Sequence, residues 1–257
     1  LRVAAVTCVL TGVSHRTMFL FNWAAWSLTS ELLFYVSFPF LIGPLRRLSA
    51  QKLSTLTIFA SLTTLLVPAI YLHLDPDALG RPLRLGDELV IYGHYVKFFP
   101  LMHVHQFLWG MSGGICWMRF RSRIYAVSTF TLTLTLLALS AFALTIAVLA
   151  LDRFYLYLHS GLLAPLFATI IALLASGQNH VARILAWRPL TLLGEASFVT
   201  YMIHVPLYLE LNHLLEKRMS ADVRCCLYLV VLMALSIAIH FAWERPLRKW
   251  IAGKVTT

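Results

Sequence analysis

The chain has 257 residues, of which 60% are hydrophobic and only 12% are charged. Soluble globular domains carry about 45–50% apolar and about 25% charged residues, so the composition excludes an ordinary soluble protein and predicts a polytopic membrane protein. The formal charge of +10 could suggest nucleic acid. Basic residues beside membrane helices more often report orientation and contact with anionic lipid, so we expect membrane lipid and no nucleic acid as a partner.

Apolar runs taken in chain order predict an all-α transmembrane bundle in a single domain, 1–257. A span needs about 20 apolar residues to cross about 30 Å of hydrocarbon. The predicted spans lie at 1–12, 24–44, 54–73, 99–118, 125–150, 156–176, 190–213 and 223–243. The first of these eight has about half the necessary length and does not follow a Met. We therefore expect helices upstream of Leu1, and two of them would complete a ten-helix fold.

The charges of the connections predict the orientation. One set of alternate connections, which includes the C-terminal tail, carries twelve Lys and Arg residues and a single acid, Glu244. The other set carries eight basic residues and seven acids. The positive-inside rule therefore predicts a cytoplasmic C-terminus. The longest connection, 74–98, is then external, and its apolar content predicts a short lid over an external cavity.

The predicted span at 24–44 contains a carboxylate, Glu31. Ser27, Glu31 and Tyr35 follow one another at intervals of four residues and so share one helix face. A carboxylate at the centre of a transmembrane helix costs roughly 2.5–3.5 kcal/mol on insertion scales, so Glu31 must face the protein interior or a water-filled cavity and have a partner. Two interpretations stay open: a functional carboxylate, or one that pins helix packing through Ser27 and Tyr35.

Three further segments place polar groups in or beside apolar helices. LLGEASFVTYMIHVPLYLEL contains Tyr201 and His204, and FFPLMHVHQFLWGMSGG contains His103 and Gln106 at positions i and i+3. WERPLRKW places Arg245 in a basic rim that could hold the phosphates of an anionic cosubstrate. Each segment also has a structural interpretation: packing for the histidines, and ordinary positive-inside charge for the rim.

Several catalytic signatures are absent from the sequence. There is no Walker A loop, no G-x-S-x-G elbow and no G-x-G-x-x-G fingerprint. The four cysteines lack metal-ligand spacing, so we expect no metal and no bound cofactor. Intramembrane acids and histidines are the remaining chemistry.

Five segments together resemble one family in the same chain order. They are WSLTSELLFY with Pro39 after it, PLMHVHQFLWGM, LHSGLLAPLF, LLGEASFVTYMIHVPLY and WERPLRKW. The pattern resembles the acyltransferase-3 family of integral-membrane acyltransferases and covers nearly the whole chain.

The resemblance implies a bacterial inner-membrane enzyme with ten helices. It would move an acyl group, usually acetyl from cytoplasmic acetyl-CoA, to a hydroxyl of a saccharide or related cell-surface acceptor. By resemblance, Trp26, Ser27, Glu31 and Tyr35 line the acyl-transfer cavity, and His204 lies near it. The resemblance also implies that the main catalytic histidine lies upstream of residue 1, so we expect the chain 1–257 by itself to be inactive.

The mechanism expected from this resemblance pairs Glu31 with that upstream histidine. The imidazole would deprotonate the acceptor hydroxyl or carry the acyl group, and Glu31 would orient or charge it. The predicted ligand-binding residues are Trp26, Ser27, Tyr35, His103, Gln106, Tyr201 and Arg245. The alternative is a polytopic transporter or flippase, in which Glu31 and His204 relay protons and no covalent transfer occurs.

Overall fold

A computed structural model describes residues 26–81, 91–125, 127–150, 154–177 and 179–255, and this part of the chain is helical without strands. The all-α prediction is confirmed for it. The helices are α1 Trp26–Arg47, α2 Ala50–Leu74, α3 Ile91–Phe98, α4 Val104–Tyr125, α5 Thr129–Ala150, α6 Tyr155–His159, α7 Ala164–Leu174, α8 His180–Leu185, α9 Arg188–Glu195, α10 Ser197–Leu215, α11 Ala221–Ile239 and α12 Arg245–Val255.

The described helices form two compact units. The first comprises 26–184 and the second comprises 185–255. A 3-10 turn, Pro100–His103, precedes α4, and a π-helical turn, His240–Glu244, joins α11 to α12. The single domain predicted from the sequence stays a prediction.

Several helices could span a membrane. Four helical stretches in the described residues are long and apolar enough: Trp26–Arg47, Ala50–Leu74, Thr129–Ile146 and Ala221–Gly253. The pair α9 and α10 would make a fifth span, bent by 63°. The predicted span 1–12 lies outside the described residues, and the count of eight stays a prediction.

Local backbone chemistry sets the start of one predicted span and divides another. The span predicted at 99–118 begins with a 3-10 turn at Pro100, because proline has no N–H to donate and suits the first position of a helix. The span predicted at 156–176 is divided into α6 and α7 by Gly161, whose φ is +86°. This left-handed conformation ends α6, and it is accessible to glycine at little cost.

The first unit is held together by an apolar core and by polar contacts between helices. Leu53 of α2 and Ile115 of α4 are buried in one cluster, with Leu45 of α1 beside them. The hydroxyls of Thr57 and Ser112 lie 2.8 Å apart and join α2 to α4. Such hydrogen bonds help transmembrane helices to associate where water is absent.

The connection between α2 and α3 is organised by two carboxylates. Asp75 ends α2 in the left-handed region, with φ 42°, and accepts hydrogen bonds from the backbone of the turn that follows. Asp77 accepts hydrogen bonds from the backbone N–H groups of Ile91, Tyr92 and Gly93 at 3.1, 3.2 and 2.8 Å. It therefore caps the N-terminus of α3. The segment predicted as a lid therefore ends in a packed helix, while 82–90 lie outside the described residues.

Candidate functional site

An aromatic and histidine cluster lies where α1 begins. The ring of Trp26 lies 5.0 Å from Phe98, 5.2 Å from His103 and 5.5 Å from His159, measured between ring centroids. These residues come from α1, α3, the 3-10 turn and α6. We call Trp26, Phe98, His103 and His159 the Trp26 cluster. Four separate segments of the first unit therefore supply one site.

His103 is held by hydrogen bonds on both ring nitrogens. Its Nε2 donates to the carbonyl of Lys97 at 2.9 Å, and its Nδ1 accepts from the amide of Gln106 at 3.1 Å. The predicted pair His103 and Gln106 is thus in direct contact. Because a carbonyl can only accept, these partners define the neutral imidazole with its proton on Nε2. The ring is oriented, and neither nitrogen is available to another group.

His159 is the second imidazole of the cluster, and it is held differently. Its ring lies 6.0 Å from that of His103 and 5.2 Å from that of Phe98. Its Nδ1 is buried and has no hydrogen-bond partner among the described residues. A buried polar atom without a partner is unfavourable and calls for an explanation. His159 is therefore the imidazole of the cluster with an unused ring nitrogen.

A buried lysine borders the same cluster. Lys97 is 5% exposed, and its ammonium lies 4.9 Å from the ring centroid of Phe98 and 5.0 Å from that of Tyr155. These distances are within the range of cation–π attraction. The lysine brings a positive charge next to the two imidazoles.

Gly161 fits tightly against the residue that orients His103. A Cβ at this position would overlap the side-chain amide of Gln106. The carbonyl of Gly161 also accepts a hydrogen bond from Nε2 of His105 at 3.3 Å. Glycine is thus required here both by the close approach and by the positive φ.

An open apolar groove leads away from Gln106 along α1 and α4. It has a volume of about 660 Å³. Its walls include Phe38, Gly110 and Gly114. A Cβ on either glycine would meet nothing within 4 Å, so the groove owes part of its width to them. From Gln106 to Met118, which also lines it, the groove extends about 18 Å at 1.5 Å per helical residue.

The predicted face of α1 is half-buried at Ser27 and Glu31 and exposed at Tyr35. Thr29 and Ser30 are buried, whereas Tyr35 is 70% exposed. Glu31 is half-buried and has no hydrogen bond or ion pair with another described residue. The packing interpretation, in which the hydroxyls of Ser27 and Tyr35 contact Glu31, therefore has no such hydrogen bond among the described residues. At 100° per residue Glu31 lies about 140° around the helix from Trp26, which accounts for this separation.

The remaining predicted residues lie in the second unit. The Nδ1 of His204 donates to the carbonyl of Tyr201, one turn earlier in α10, at 2.6 Å. Its own carbonyl accepts from the hydroxyl of Tyr228 at 3.1 Å. Arg245 is exposed, with its guanidinium 5.6 Å from the ring of Phe241. One ring nitrogen of His204, Nδ1, thus has a hydrogen-bond partner within its own helix.

A second histidine site lies at the π-helical turn of the second unit. His240 is 3% exposed, and its Nδ1 donates to Glu244 at 2.9 Å. Its Nε2 lies 3.6 Å from the carboxylate of Glu195. The other oxygen of Glu244 accepts from Arg248. An imidazole thus lies between two carboxylates, one of which is also paired with an arginine.

Sequence reasoning missed His159, Lys97 and His240. His159 lies in LHSGLLAPLF, one of the five segments that resemble the family, but no local spacing links it to His103, 56 residues earlier. In the sequence, Lys97 contributed only to the count of basic residues in the connections between spans. For His240 a signal existed: His240, Glu244 and Arg248 follow at intervals of four, which places them on one helix face.

No family model matches this chain, and neither does any curated protein or solved structure.

Proposed function

We propose that this protein is a membrane-bound O-acyltransferase. It moves an acyl group, normally acetyl, from acyl-CoA to a hydroxyl of a carbohydrate or related cell-surface acceptor. One observation carries the proposal. Three segments that resemble the acyltransferase-3 family, WSLTSELLFY, PLMHVHQFLWGM and LHSGLLAPLF, are far apart in the sequence but meet at Trp26, His103 and His159. A chance resemblance would not require these segments to share a site.

Within this chain, His159 has the geometry of a proton acceptor. Acyl transfer needs a base to take the proton of the acceptor hydroxyl while the hydroxyl oxygen attacks the thioester carbonyl. The carbon–sulfur bond then breaks, and the thiolate leaves as CoA after protonation. His103 has both nitrogens engaged, so the unpartnered Nδ1 of His159 suits the proton transfer better. His103 and Gln106 act as positioning residues.

The aromatic wall and the groove suit the two substrates. Trp26 covers both imidazoles and offers a face on which a saccharide ring can stack. The groove that starts at Gln106 has the apolar walls and the volume of an ordinary ligand site, about 300–1,000 Å³. We assign the acceptor to the Trp26 cluster and the acyl-donor arm to the groove.

The charge distribution favours a defined location for each substrate. The resemblance implies a bacterial inner-membrane protein, and the positive-inside rule favours a cytoplasmic C-terminus. The end of α1 that carries Arg46 and Arg47 then faces the cytoplasm, where acetyl-CoA is found, and Trp26 lies toward the external side. The acyl group would pass along α1 from one side of the membrane to the other.

The test measures label transfer in membrane vesicles that contain the protein with all the sequence its gene encodes. Vesicles receive acetyl-CoA labelled in the acetyl group. Label is counted in the glycan fraction, and the release of free CoA thiol is measured in parallel. We expect His159→Ala to lower the transfer rate by about 10²–10⁴, the usual contribution of general acid–base catalysis. His73→Ala, an exposed histidine of the same unit, serves as the matched control.

Two results would overturn parts of this proposal. If no CoA is released with native envelope glycans present, the protein is not an acyltransferase, and transport of an unmodified substrate becomes the function to measure. If transfer occurs but His159→Ala keeps the wild-type rate, His159 is not the base, and the upstream histidine implied by the resemblance takes that role.

A second pair of variants tests the groove. Gly110→Leu fills it without touching the Trp26 cluster, whereas Gly110→Ala adds a Cβ that meets nothing within 4 Å. We expect the leucine to raise the KM for acetyl-CoA at least tenfold and the alanine to leave it unchanged. Equal KM values for the two variants would remove the groove from the donor path.

A further inference from the structure

A small pocket lies between α10 and α11 in the second unit, and the proposed acyl transfer does not use it. Its volume is about 240 Å³, and its walls include Tyr208, Asn212, Arg224, Cys225 and Tyr228. Ordinary ligand pockets occupy about 300–1,000 Å³, so this one fits a single small ring or head group.

Arg224 supplies the most informative atom of the pocket. Its Nη1 is enclosed by protein and has no hydrogen-bond partner among the described residues. A guanidinium always carries its charge, so it cannot escape this penalty by losing a proton. The rest of the half-buried Arg224 side chain lines the pocket, so an acceptor from outside the chain could reach the charge there.

Neighbouring charges do not satisfy Arg224. Asp222 and Glu216 are exposed, and neither forms an ion pair with Arg224 in the described part of the chain. Lys217 and Arg218 are exposed basic residues of the same connection and line no wall of this pocket. Arg224 thus differs from the ordinary basic residues found at the edge of a membrane.

The start of α11 brings backbone N–H donors to the pocket, and its first turn also holds the carboxylate of Asp222. Ala221, the first residue of this 19-residue helix, lines the pocket, and the side chain of the preceding Ser220 makes no capping hydrogen bond. The first N–H groups of a helix need external acceptors and favour negative charge. The N–H groups at the start of α11 and the unpartnered Nη1 of Arg224 both favour an oxygen anion.

The other walls fit a polar ring attached to that anion. The rings of Tyr208 and Tyr228 lie 5.6 Å apart at 81°, which forms an aromatic corner. Asn212 brings an amide that can both donate and accept. Aromatic faces with a few polar groups are typical of sites for small polar ligands.

We propose that this pocket binds an oxyanion group, carboxylate or phosphate, carried by a small polar molecule, with Arg224 as its main ligand. The inference does not rest on the proposed acyl transfer. The same chemistry has two sources: a soluble sugar acid or sugar phosphate, and the phosphate of a lipid head group. Both would place the anion on Arg224 and the attached polar body against the tyrosines.

Cys225 provides a readout inside the pocket. It is an exposed free thiol in the pocket wall, whereas its neighbour Cys226 is also exposed but does not line the pocket. The full protein in neutral detergent micelles is alkylated with iodoacetamide, and the rate at each cysteine is read by mass spectrometry. The probes are glucuronate, glucose and inorganic phosphate, and each variant is compared with itself without the probe.

We expect saturating glucuronate to slow alkylation of Cys225 at least fivefold, phosphate to slow it less, and glucose to have no effect. The rate at Cys226 should not change. Arg224→Gln should abolish the protection, Arg224→Lys should weaken it, and Arg218→Gln should keep it. If Arg224→Gln does not fold, the lysine variant and the contrast between glucuronate and glucose still decide the result.

The source of the anion is tested in bilayers. Nanodiscs of a zwitterionic lipid are compared with nanodiscs that contain phosphatidylglycerol. Protection of Cys225 by glucuronate in both types supports a soluble ligand, and protection by phosphatidylglycerol without any soluble probe assigns the pocket to a lipid head group. Equal protection by glucose, protection that persists in Arg224→Gln, or no protection under any condition would overturn the proposal.

Discussion

The two units each contain a buried histidine site, and the two sites differ in their charges. In the first unit, His103 and His159 lie among aromatic rings beside Lys97, and neither contacts a carboxylate of the described residues. In the second unit, His240 lies between Glu195 and Glu244. An imidazolium would gain counter-ions in the second site but none in the first.

This difference suggests different roles for the imidazoles. A neutral imidazole with an unpartnered nitrogen, such as His159, can accept a proton from a ligand. An imidazole held by carboxylates, such as His240, is fixed in place and links the π-helical turn to α9. Charge environment thus separates a group suited to chemistry from one suited to structure.

The largest expected effect concerns Glu31, the carboxylate of α1, which contacts neither histidine of the first site. Glu31→Gln should reduce acyl transfer by at least 100-fold while the membrane level of the protein stays unchanged, because an intramembrane carboxylate is retained at a cost only where it has a role. The label-transfer assay measures this, with Glu216→Gln, which changes an exposed carboxylate, as the control. Wild-type activity in Glu31→Gln would exclude Glu31 from the reaction.

Gly161→Ala tests whether the first site depends on its tight fit. Alanine at a positive φ costs roughly 1–2 kcal/mol, and overpacking against Gln106 adds about 1–3 kcal/mol. The unfolding temperature in detergent should therefore fall, and His103 should lose the amide that orients it. Gly110→Ala is the matched control, since its Cβ meets nothing within 4 Å. An equal unfolding temperature for both variants would contradict the tight fit.

Glu244→Gln tests the structural role of the second site. It removes the charge that pairs with both His240 and Arg248, so we expect a loss of about 1.5–3 kcal/mol, the usual value for hydrogen bonds to charged groups. Glu195→Gln should cost less than about 1 kcal/mol, because that carboxylate is 61% exposed and 3.6 Å from the ring. Chemical denaturation in micelles would compare them. If Glu195→Gln proved the more damaging variant, our ranking of the two carboxylates would be wrong.

The smallest expected effect concerns Asp77, which caps the N-terminus of α3, the helix that contains Lys97. Burial tends to raise the pKa of Asp77, but hydrogen bonds from Gly93, Tyr92, Tyr71 and Ile91 outweigh burial and hold that pKa below its usual 3.8. A lowered pKa in the folded state adds stability that is complete above the unfolded value and lost as pH falls through the folded one.

Asp77→Asn should therefore be less stable than wild type at pH 7, and the difference should shrink as the pH falls below 3.8. Unfolding temperatures measured between pH 3 and pH 7 would show this trend. Asp75→Asn, at the neighbouring cap, provides the comparison. A difference that stays constant with pH would show that the charge of Asp77 does not stabilise the α3 cap.

Prediction from the sequence succeeded where one helix contains the whole signal. The helices at 24–44, 54–73 and 125–150 agree with α1, α2 and α5 within a few residues, because apolar length decides them. The contact of His103 with Gln106 follows from spacing within one turn. The sequence did not indicate the backbone break at Gly161, which divides the segment predicted at 156–176 into two helices.

The sequence by itself determined that the described chain is helical, that several of its helices are long and apolar enough to span a membrane, and which segments carry its unusual polar residues. Hydrophobic length and local spacing depend on neighbours along the chain, so they can be read directly. Only the tertiary structure decided that Trp26, His103 and His159 share a site, that Glu31 lies on another face, and that Arg224 faces a pocket. These relations depend on packing between helices, which brings together residues that local sequence spacing cannot link.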